Sequence, residues 1–382
     1  MKFFHTADWH LGKLVQGVYM TEDQAYVLDQ FTEAIEVEKP DAVIIAGDLY
    51  DRAVPPTDAV ALFDNILKRI VVDLGVPVLA IAGNHDSPGR LEFGSQFMRE
   101  NGFYIAGQMT KEIEPVKLQD EYGEVHVHLV PFADPSIVKN LYEDESISNH
   151  HDAMAKITSV MTEKMDASAR HIFVGHAFVT PHGDSEDNTS DSERPIAIGG
   201  AEYVAAHLFD PFHYTALGHL HRAHYVRDET IRYAGSPLKY SISEEQHEKG
   251  FYIVTMDGEG QTEIEKRVFI PEKDMRTVEG TIDEINAHEP SEDYVFVKLR
   301  DKTPVMHPME KVRAIYPNAM HVERQTFFAE SKKETPEMKS QLTDLELFES
   351  FYTEMKGEQA DDETKALFEK VLHEVMHEEG IR

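Results

Sequence analysis

Short apolar runs alternate with longer helical stretches over the first 90 residues of the chain. The runs at 2–5, 42–46 and 76–82 are each followed by Gly or by a polar residue, as is typical of buried strands. Helical stretches lie between them at 22–39 and 56–72, and the second carries apolar residues at the spacing of one helix face. Strands that alternate with helices predict a layered α/β domain.

The same alternation continues towards the middle of the chain. Further apolar runs predict strands at 125–130, 171–174, 214–217, 230–233 and 251–256. A helix is predicted between two of these strands, at 148–165. The stretch 185–193, SEDNTSDSE, is acidic and has no apolar residue, which predicts an exposed, solvated loop.

The organisation changes near Pro271. Strands are predicted at 276–281, 294–300 and 319–325, with helices at 282–287 and 309–315 between them. This order is a small β-α-β-α-β unit, which indicates a second domain. The polar stretch that follows contains Pro336 and predicts a linker. The predicted divisions are a first domain at 1–270, an α/β unit at 271–328, a linker at 329–340 and a helical tail at 341–382.

The tail contains two predicted amphipathic helices. The apolar stripe of the first helix consists of Leu347, Phe348, Phe351, Tyr352 and Met355. The stripe of the second helix consists of Leu367, Phe368, Val371, Leu372 and Val375. Gly357 is placed to end the first helix, and the acidic residues at 361–363 suit the start of the second. Such stripes pack either on the protein's own core or on the helices of a partner, and the sequence alone leaves both open.

Composition narrows the class of protein. The 382 residues include no cysteine, which excludes disulfides and Cys-ligated metals. No run of 18 apolar residues is present, and the N-terminal residues leave no room for a signal-peptide apolar region, so we expect a cytoplasmic protein. The formal net charge of −33 lacks the basic surface of a stand-alone nucleic-acid binder. It does not exclude DNA as a substrate, because bound cations or a basic partner supply local positive charge.

Polar clusters follow the apolar ends of five predicted strands. They are DWH at 8–10, GDLYD at 47–51, GNHD at 83–86, GH at 175–176 and GHLH at 218–221. Ligands of open α/β sheets bind at the carboxyl ends of the strands. Residues i and i+2 of an extended segment project to the same side, so Asp8 with His10, and His219 with His221, each direct two side chains at one point. A glycine directly precedes each of Asp48, Asn84, His176 and His219, and glycine permits a sharp turn from strand to loop.

The side chains of these clusters form a coherent set of metal ligands. The set consists of Asp8, His10, Asp48, Asn84, His176, His219 and His221. Carboxylates, imidazoles and an amide oxygen suit divalent ions such as Mn²⁺, Fe²⁺ or Zn²⁺. Seven ligands are too many for one tetrahedral ion but are enough for two ions that share a carboxylate. A single histidine among the 21 in the chain is more often an ordinary surface or core residue than a metal ligand. The ordered set of seven, in contrast, indicates a two-metal site for phosphate-ester chemistry.

The ordered motifs resemble the calcineurin-like metallophosphoesterase superfamily. The longer stretches HTADWHLGK at 5–13, GDLYDRAVPP at 47–56 and GSPLKYSISEEQHEKG at 235–250 are similar to bacterial SbcD-type nuclease subunits in particular. The resemblance implies an α/β fold with two facing β-sheets flanked by helices, a small α/β capping domain and a C-terminal helical tail. It further implies a manganese-dependent DNA exonuclease and endonuclease that acts in repair and recombination, near the nucleoid. The implied partners are DNA, a second copy of the nuclease domain and an SbcC-type coiled-coil ATPase bound by the tail helices.

The resemblance also assigns roles to individual residues. It implies that one ion is held by Asp8, His10, Asp48 and His221. It implies that the second ion is held by Asp48, Asn84, His176 and His219, with Asp48 bridging. His85 would stabilise or protonate the departing ribose oxygen, and Asp86 would orient His85 or its loop. Archaeal and eukaryotic relatives often carry a histidine where this chain has Asp51, so a histidine role in guiding DNA is in doubt here.

Three basic residues near the motifs, Lys13, Arg52 and Arg90, are candidates for contact with DNA phosphates, although an ordinary surface role is the simpler expectation for each. Two other function classes remain open. A phosphatase or phosphodiesterase for small or phosphoprotein substrates could use the same metal core, but it would not need the capping domain and tail. A binding scaffold with a vestigial site is disfavoured because every candidate ligand position is intact.

Overall fold

The computed structural model describes residues 1–183, 189–193, 202–324, 343–356 and 359–378. The strands are β1 Lys2–Thr6, β2 Leu14–Val15, β3 Val18–Tyr19, β4 Ala42–Ile45, β5 Val78–Ile81, β6 Phe103–Ala106, β7 Val116–Asp120, β8 Gly123–Val130, β9 Arg170–His176, β10 Phe178–Thr180, β11 Tyr203–Ala205, β12 Tyr214–Gly218, β13 His224–Tyr225, β14 Ile231–Tyr233, β15 Gly250–Met256, β16 Thr262–Val268, β17 Met275–Gly280, β18 Tyr294–Leu299 and β19 His321–Arg324. The α-helices are α1 Thr21–Glu38, α2 Thr57–Leu67, α3 Pro88–Glu92, α4 Ser95–Arg99, α5 Pro135–Tyr142, α6 His150–Thr162, α7 Ile282–Asn286, α8 Pro308–Arg313, α9 Asp344–Lys356 and α10 Asp362–Glu378.

Two six-stranded sheets organise the larger part of the chain. The first sheet has the order β16-β15-β1-β4-β5-β6, and the second has the order β13-β14-β12-β9-β8-β7. In the first sheet β1, β4, β5 and β6 are parallel, while β15 and β16 are antiparallel additions at one edge. In the second sheet β8, β9, β12 and β14 are parallel. The parallel strands therefore present their carboxyl ends together, where ligands bind in such sheets.

The two sheets face each other across an apolar layer. Phe3 and Ile44 of the first sheet pack in one buried cluster with Val127, Ile172 and Ala216 of the second. Phe4 points to the opposite side of the first sheet, where it packs with Phe31 of α1. Because β1 is buried on both faces, its two central residues, Phe3 and Phe4, are both apolar although they point in opposite directions.

Helices cover the outer faces of both sheets. Helices α1 and α2 supply Phe31 and Phe63 to the cluster on the first sheet. Helices α5 and α6 supply Val138 and Ile157 to the cluster on the second sheet. The predicted fold class, two facing sheets flanked by helices, is confirmed.

The strands and helices predicted for the small α/β unit and for the tail are present, with ends that differ by a few residues. Strands β17, β18 and β19 make a three-stranded sheet in that order, and α7 and α8 lie between successive strands in the chain. The chain divides into two compact units. One consists of Met1–Thr277, Ser291–Phe296 and Tyr316–His321, and the other of Val278–Pro290, Val297–Ile315 and Val322–Arg382. The domain boundaries given above stay predictions, and the predicted linker at 329–340 lies outside the described residues.

The tail helices contact each other. The rings of Phe348 and Phe368 stack with their centroids 4.0 Å apart, and Lys365 Nζ lies 2.5 Å from Glu349 Oε1. Other apolar side chains of the two predicted stripes stay exposed, with Phe351 59% and Leu367 62% accessible. The helices therefore bury only part of their apolar stripes against one another.

Several boundaries and elements differ from the sequence-based expectation. Strand β5 begins at Val78 rather than at 76, because Pro77 has no N–H to give to a neighbouring strand. Helix α6 begins at His150 rather than at 148, because the Asn149 side chain accepts the backbone N–H of Asp152 and so caps the helix. The predicted helix at 56–72 is α-helical to Leu67 and continues as a π-helical turn, Lys68–Asp73. Strands β6, β7 and β16 and helix α5 were not predicted.

Candidate metal centre

Backbone hydrogen bonds bring the loops after β1 and β4 together. The N–H of Asp8 donates to Gly47 O at 3.1 Å, and the N–H of His10 donates to Asp48 O at 2.9 Å. Across the two sheets, the N–H of His219, which follows β12, donates to Asp8 Oδ1 at 2.8 Å. The predicted clusters at these strand ends therefore meet at one place.

The backbone is strained at this place. Asp8, His10, Asp48 and His219 have φ values of 53°, 45°, 49° and 112°, in the region that favours glycine. They are half of the eight non-glycine residues with positive φ that the described chain contains. Such conformations cost roughly 1–3 kcal/mol each and persist where the surrounding structure enforces them, which is common at functional sites.

Two glycines allow the loops to approach closely. A Cβ on Gly83 would lie 2.1 Å from Asp48 Oδ1, and a Cβ on Gly218 would lie 1.9 Å from Ala46 O. Both distances are far below van der Waals contact, so no other residue fits at either position. The glycine in each motif is thus explained by the closeness of the neighbouring strand end.

Four predicted ligands, Asp8, His10, Asp48 and His221, form one side of the centre. His10 Nε2 lies 3.0 Å from His221 Nε2 and 3.5 Å from Asp48 Oδ2. All four side chains are buried. Asp8 Oδ2 is also buried and has no hydrogen-bond partner among the described residues. An unpartnered carboxylate oxygen beside converging imidazole nitrogens fits a cation site.

The other side of the centre is built around His176. Its Nδ1 lies 3.0 Å from Ala46 O, so Nδ1 carries a proton and donates it there. Its Nε2 faces Asn84 Oδ1 at 2.9 Å and Asp48 Oδ2 at 3.4 Å. The His219 ring lies beside it, with the ring centroids 5.5 Å apart. Two oxygen acceptors around a ring nitrogen require a proton or a metal ion between them, and Asp48 belongs to both sides of the centre.

Burial and neighbouring charges set the pKa values at the centre. Burial is the largest single influence on the pKa of His176 and lowers it, but the negative charges of Asp48 and Asp8 and the hydrogen bonds to Asp48 and Ala46 together outweigh burial and raise that pKa to about 9. Burial raises the pKa of Asp8 to about 7. Burial holds the pKa values of His10 and His219 well below the usual range, so both rings are neutral. Neutral imidazoles are the form that binds metal ions.

His85 and Asp86 lie next to the predicted ligands and have different surroundings. The His85 N–H donates to Asp48 Oδ1 at 2.9 Å, and His85 Nδ1 lies 2.8 Å from Asp51 O. The His85 ring stands edge-on to the His10 ring and is half-buried. Asp86 accepts the backbone N–H groups of Leu49, Tyr50 and Gly83, each at 3.0 Å. Asp86 therefore ties the loops that follow β4 and β5 together.

The three basic residues proposed to contact DNA differ in their surroundings. Lys13 Nζ pairs with Asp51 Oδ1 at 2.8 Å, and Asp51 Oδ1 lies 3.8 Å from His10 Nδ1. Arg52 is about half exposed and its NH2 lies 3.9 Å from Asp51 Oδ2. Arg90 is exposed on α3. The structure thus brings Lys13 next to the centre and Arg52 close to Asp51, while Arg90 is exposed on a separate helix.

The sequence-based reasoning missed a polar group around His221. Glu244 Oε1 lies 3.1 Å from His221 Nδ1, and Lys249 Nζ donates to His221 O at 2.8 Å. Both residues belong to the motif at 235–250, which carries the family resemblance but predicts no role for either of them. Glu193 Oε1 accepts the His221 N–H at 2.6 Å, and Ser192 Oγ lies 2.7 Å from His221 Nδ1. The expectation of an exposed, solvated loop is therefore wrong for Ser190, which is buried, and for Ser192 and Glu193, which contact His221. Thr189 and Asp191 are exposed, as expected.

Gln24 was also missed. It is fully buried in α1, and its Nε2 donates to Trp9 O at 3.0 Å and to His10 O at 2.8 Å. Its Oε1 accepts the N–H of Gly12 at 3.1 Å. A glutamine that interrupts the apolar face of a helix was the available signal. Gln24 holds the loop that carries Asp8 and His10.

A family model covers all five motifs that contain the predicted metal ligands. The model of the calcineurin-like phosphoesterases matches residues 1–223, which is more than half of the chain. The chain belongs to this family. A second model, the SbcD C-terminal domain, described as the type 5 capsule protein repressor C-terminal domain, matches residues 271–356 of this phosphoesterase. The two matches together are consistent with an SbcD nuclease subunit, as the motifs predicted.

Solved structures similar to this phosphoesterase are distant in sequence. A dimetal phosphatase from Danio rerio is 12% identical, with 71% of this chain and 97% of that chain covered and a TM-score of 0.40. The protein TT1561 of Thermus thermophilus is 11% identical, with 69% and 98% covered and a TM-score of 0.38. GAP50, the anchor in the inner membrane complex of Plasmodium, is 14% identical, with 88% and 99% covered and a TM-score of 0.38.

The family and the donor set together support a metal-dependent hydrolase with two divalent ions. Two groups of side chains each offer ligand atoms within 4.8 Å of one another, Asp8 with Asp48 and His176, and His10 with Asp51 and His85. The second group includes Asp51, at the position where the motif departs from that of archaeal and eukaryotic relatives. Within the described residues, no helix has both the length and the apolar content that a membrane span requires.

Proposed function

We propose that this phosphoesterase is a two-metal DNA nuclease, with exonuclease and endonuclease activity, and the nuclease subunit of an SbcCD-type complex. The observation that carries the proposal is the match to the SbcD C-terminal domain in the same chain as the phosphoesterase centre. A phosphatase for small or phosphoprotein substrates would need the centre but not that second domain. Processing of DNA ends and hairpins in repair and recombination is the role that this pairing favours.

The assignment of ligands rests on the donor atoms described above. One ion is assigned to Asp8, His10, Asp48 and His221, and the other to Asp48, Asn84, His176 and His219. The unpartnered Asp8 Oδ2 and the position of Asp48 between both groups of side chains support this division. These residues would hold two divalent ions, for which Mn²⁺ is the proposed species. The chemistry that such a pair would supply is polarisation of a phosphodiester and activation of water near neutral pH.

His85 is proposed to assist the departure of the ribose oxygen. Its backbone N–H binds the shared carboxylate of Asp48, so the residue is fixed at the centre. Its Nδ1 donates to Asp51 O, which leaves the other ring nitrogen free to exchange a proton with substrate. Because the ring is only half-buried, it is open to substrate.

Contact with DNA phosphates is proposed for Lys13, Arg52 and Arg90. Lys13 is the strongest of the three, because its ammonium lies beside Asp51 next to His10 and His85. The net charge of −33 repels a polyanion at long range. Productive DNA binding therefore depends on the metal ions and on positive charge from the partner subunit.

The helical tail is proposed to bind the coiled coil of an SbcC-type ATPase. Helices α9 and α10 leave Leu347, Phe351, Leu367 and Val371 exposed, each at least 43% accessible. An exposed apolar stripe on a helix pair matches the way amphipathic helices are recognised by other helices. The described part of the tail therefore presents a surface suited to a helical partner.

A second copy of the chain is proposed to cover an apolar surface near α3 and α4. Phe93 and Phe97 are 82% and 79% exposed, and Val60 of α2 and Met98 of α4 are also exposed. Two large aromatic side chains in water at one surface mark a protein interface. Light scattering after gel filtration tests the proposed homodimer.

A comparison of substrates tests the proposed function. Mn²⁺-dependent nucleotide release from linear and hairpin DNA is compared with hydrolysis of p-nitrophenyl phosphate, with and without the ATPase and ATP. We expect DNA cleavage that Mn²⁺ supports and that the ATPase partner stimulates. Strong phosphomonoester turnover without any DNA cleavage would favour the phosphatase instead.

A further inference from the structure

Glu244 is a buried carboxylate that no motif assignment explains. It ends a short 3₁₀ turn, Ile242–Glu244, and its side chain is fully inaccessible. Its Oε1 lies 3.1 Å from His221 Nδ1, and Oε2 forms an ion pair with the buried Lys249. A carboxylate buried this deeply is expensive to desolvate, so its position calls for a specific partner.

We propose that Glu244 is a positioning residue that fixes the ring of His221 for metal binding. The inference deepens the proposed two-metal function and rests on the ligand role of His221. Glu244 touches neither substrate nor metal in this proposal. It acts through the imidazole.

The geometry of the two ring nitrogens leads to this role. His221 Nε2 faces the centre, 3.0 Å from His10 Nε2, while Nδ1 faces Glu244. An ionised carboxylate only accepts hydrogen bonds, so it holds the ring proton on Nδ1 and leaves the Nε2 lone pair free for an ion. Ser192 shares the arrangement, because its hydroxyl lies 2.7 Å from Nδ1 and donates to Glu244 Oε1.

Lys249 holds the backbone of His221 by a hydrogen bond to its carbonyl oxygen. Its Nζ donates to His221 O and to Ser236 Oγ, each at 2.8 Å, in addition to the ion pair with Glu244. The pair therefore holds His221 at two points, the ring through Glu244 and the carbonyl through Lys249. The charge of each member compensates the burial of the other.

The neighbouring ligand histidines are held differently. His176 directs its Nδ1 to the backbone carbonyl of Ala46, and His10 Nδ1 has no hydrogen-bond partner among the described residues. Glu245, the next residue in the chain, directs its carboxylate elsewhere, since it accepts from the N–H and the hydroxyl of Thr277. Glu245 therefore provides a matched control for a loss of charge at this turn.

Mn²⁺ titration of the full chain tests the proposal. The variants are Glu244→Gln, the double variant Glu244→Gln with Lys249→Met, and the control Glu245→Gln. Isothermal titration calorimetry measures the affinity of each site, and circular dichroism of the metal-free proteins checks the fold. The double variant removes both buried charges, so it keeps the test valid if the single variant fails to fold.

We expect both Glu244 variants to lose about 10–100-fold in affinity at one of two Mn²⁺ sites, with the other site and the Glu245→Gln variant unchanged. In ¹⁵N spectra of histidine-labelled, metal-free protein, the His221 ring should carry its proton on Nδ1 in the parent and lose that preference in the Glu244 variants. Parent-like affinity and an unchanged ring tautomer in a folded variant would overturn the proposal. Neither readout uses DNA, so absence of DNA cleavage by the parent would contradict the proposed function without affecting this result.

Discussion

At the scale of single residues, Asp8 and His176 hold protons that metal binding must displace. Burial raises the pKa of Asp8 to about 7. Burial lowers the pKa of His176, but the charges of Asp48 and Asp8 and the hydrogen bonds to His176 together raise it to about 9. In the metal-free protein at pH 7, His176 is therefore protonated and Asp8 is protonated in part of the molecules. His10 and His219 are neutral already and release nothing.

Metal affinity should therefore rise with pH. A divalent ion binds the deprotonated forms, so lowering the pH through 9 and then through 7 progressively weakens binding. Calorimetric Mn²⁺ titrations at pH 7 in two buffers of different ionisation enthalpy should show a net release of protons on binding, because both groups lose their protons to the ion. An affinity independent of pH between 6 and 9, about the range these pKa values span, would contradict the assigned charges.

His85 is the residue for which a purely chemical role is predicted. Because its backbone N–H rather than its ring binds Asp48, removing the ring leaves that carboxylate in place. We expect His85→Ala to lower DNA cleavage by about 10²–10⁴-fold while Mn²⁺ and DNA binding stay within a few-fold of the parent. Cleavage is measured under single-turnover conditions, and binding separately by calorimetry and fluorescence anisotropy. Cleavage at the parent rate would show that the leaving-group role is wrong.

At the scale of the elements, the centre depends on how closely the strand ends approach. Gly83→Ala would place a methyl group 2.1 Å from Asp48 Oδ1 and displace the shared carboxylate. We expect Mn²⁺ affinity to fall at least tenfold and the free energy of unfolding to fall by about 1–3 kcal/mol. Gly89→Ala is the matched control, since the added methyl group there meets only Gln108 Nε2, at 3.5 Å. Equal metal affinity in the two variants would refute the steric explanation.

The tail helices form the second element whose role is testable. They share the contact between Phe348 and Phe368 but leave other apolar side chains exposed. We expect a chain truncated before Asp344 to keep its fold and metal binding and to lose co-purification with the ATPase. Circular dichroism and Mn²⁺ titration are the controls. A truncated chain that still forms the complex would show that the partner binds elsewhere.

At the scale of the whole molecule, the buried strands are the part of the fold that the sequence predicts best. Strand β4 is apolar throughout, and β1 has Phe3 and Phe4 on its two faces, so both are recognisable as buried strands. Strand β16 was missed because it lies at the edge of its sheet and four of its seven residues are charged. Strand β7 occupies the edge of the other sheet in the same way, and its exposed face is polar.

Some residues of the candidate site could be predicted from the sequence, and others could not. Its predicted ligands follow strand ends in recognisable motifs, so their meeting could be expected before the structure was known. Glu244 and Gln24 could not be found in that way, because their roles depend on contacts with His221 and His10 that only the folded chain creates. The same holds for Glu193, whose acidic surroundings indicated a solvated loop.

The most direct test is anomalous diffraction at the manganese edge from crystals of the full chain grown with Mn²⁺. We predict two peaks, both bound by Asp48, one beside His10 and His221 and the other beside Asn84 and His176. No peak among these loops, or a single peak away from Asp48, would contradict the two-metal centre on which the proposed nuclease depends.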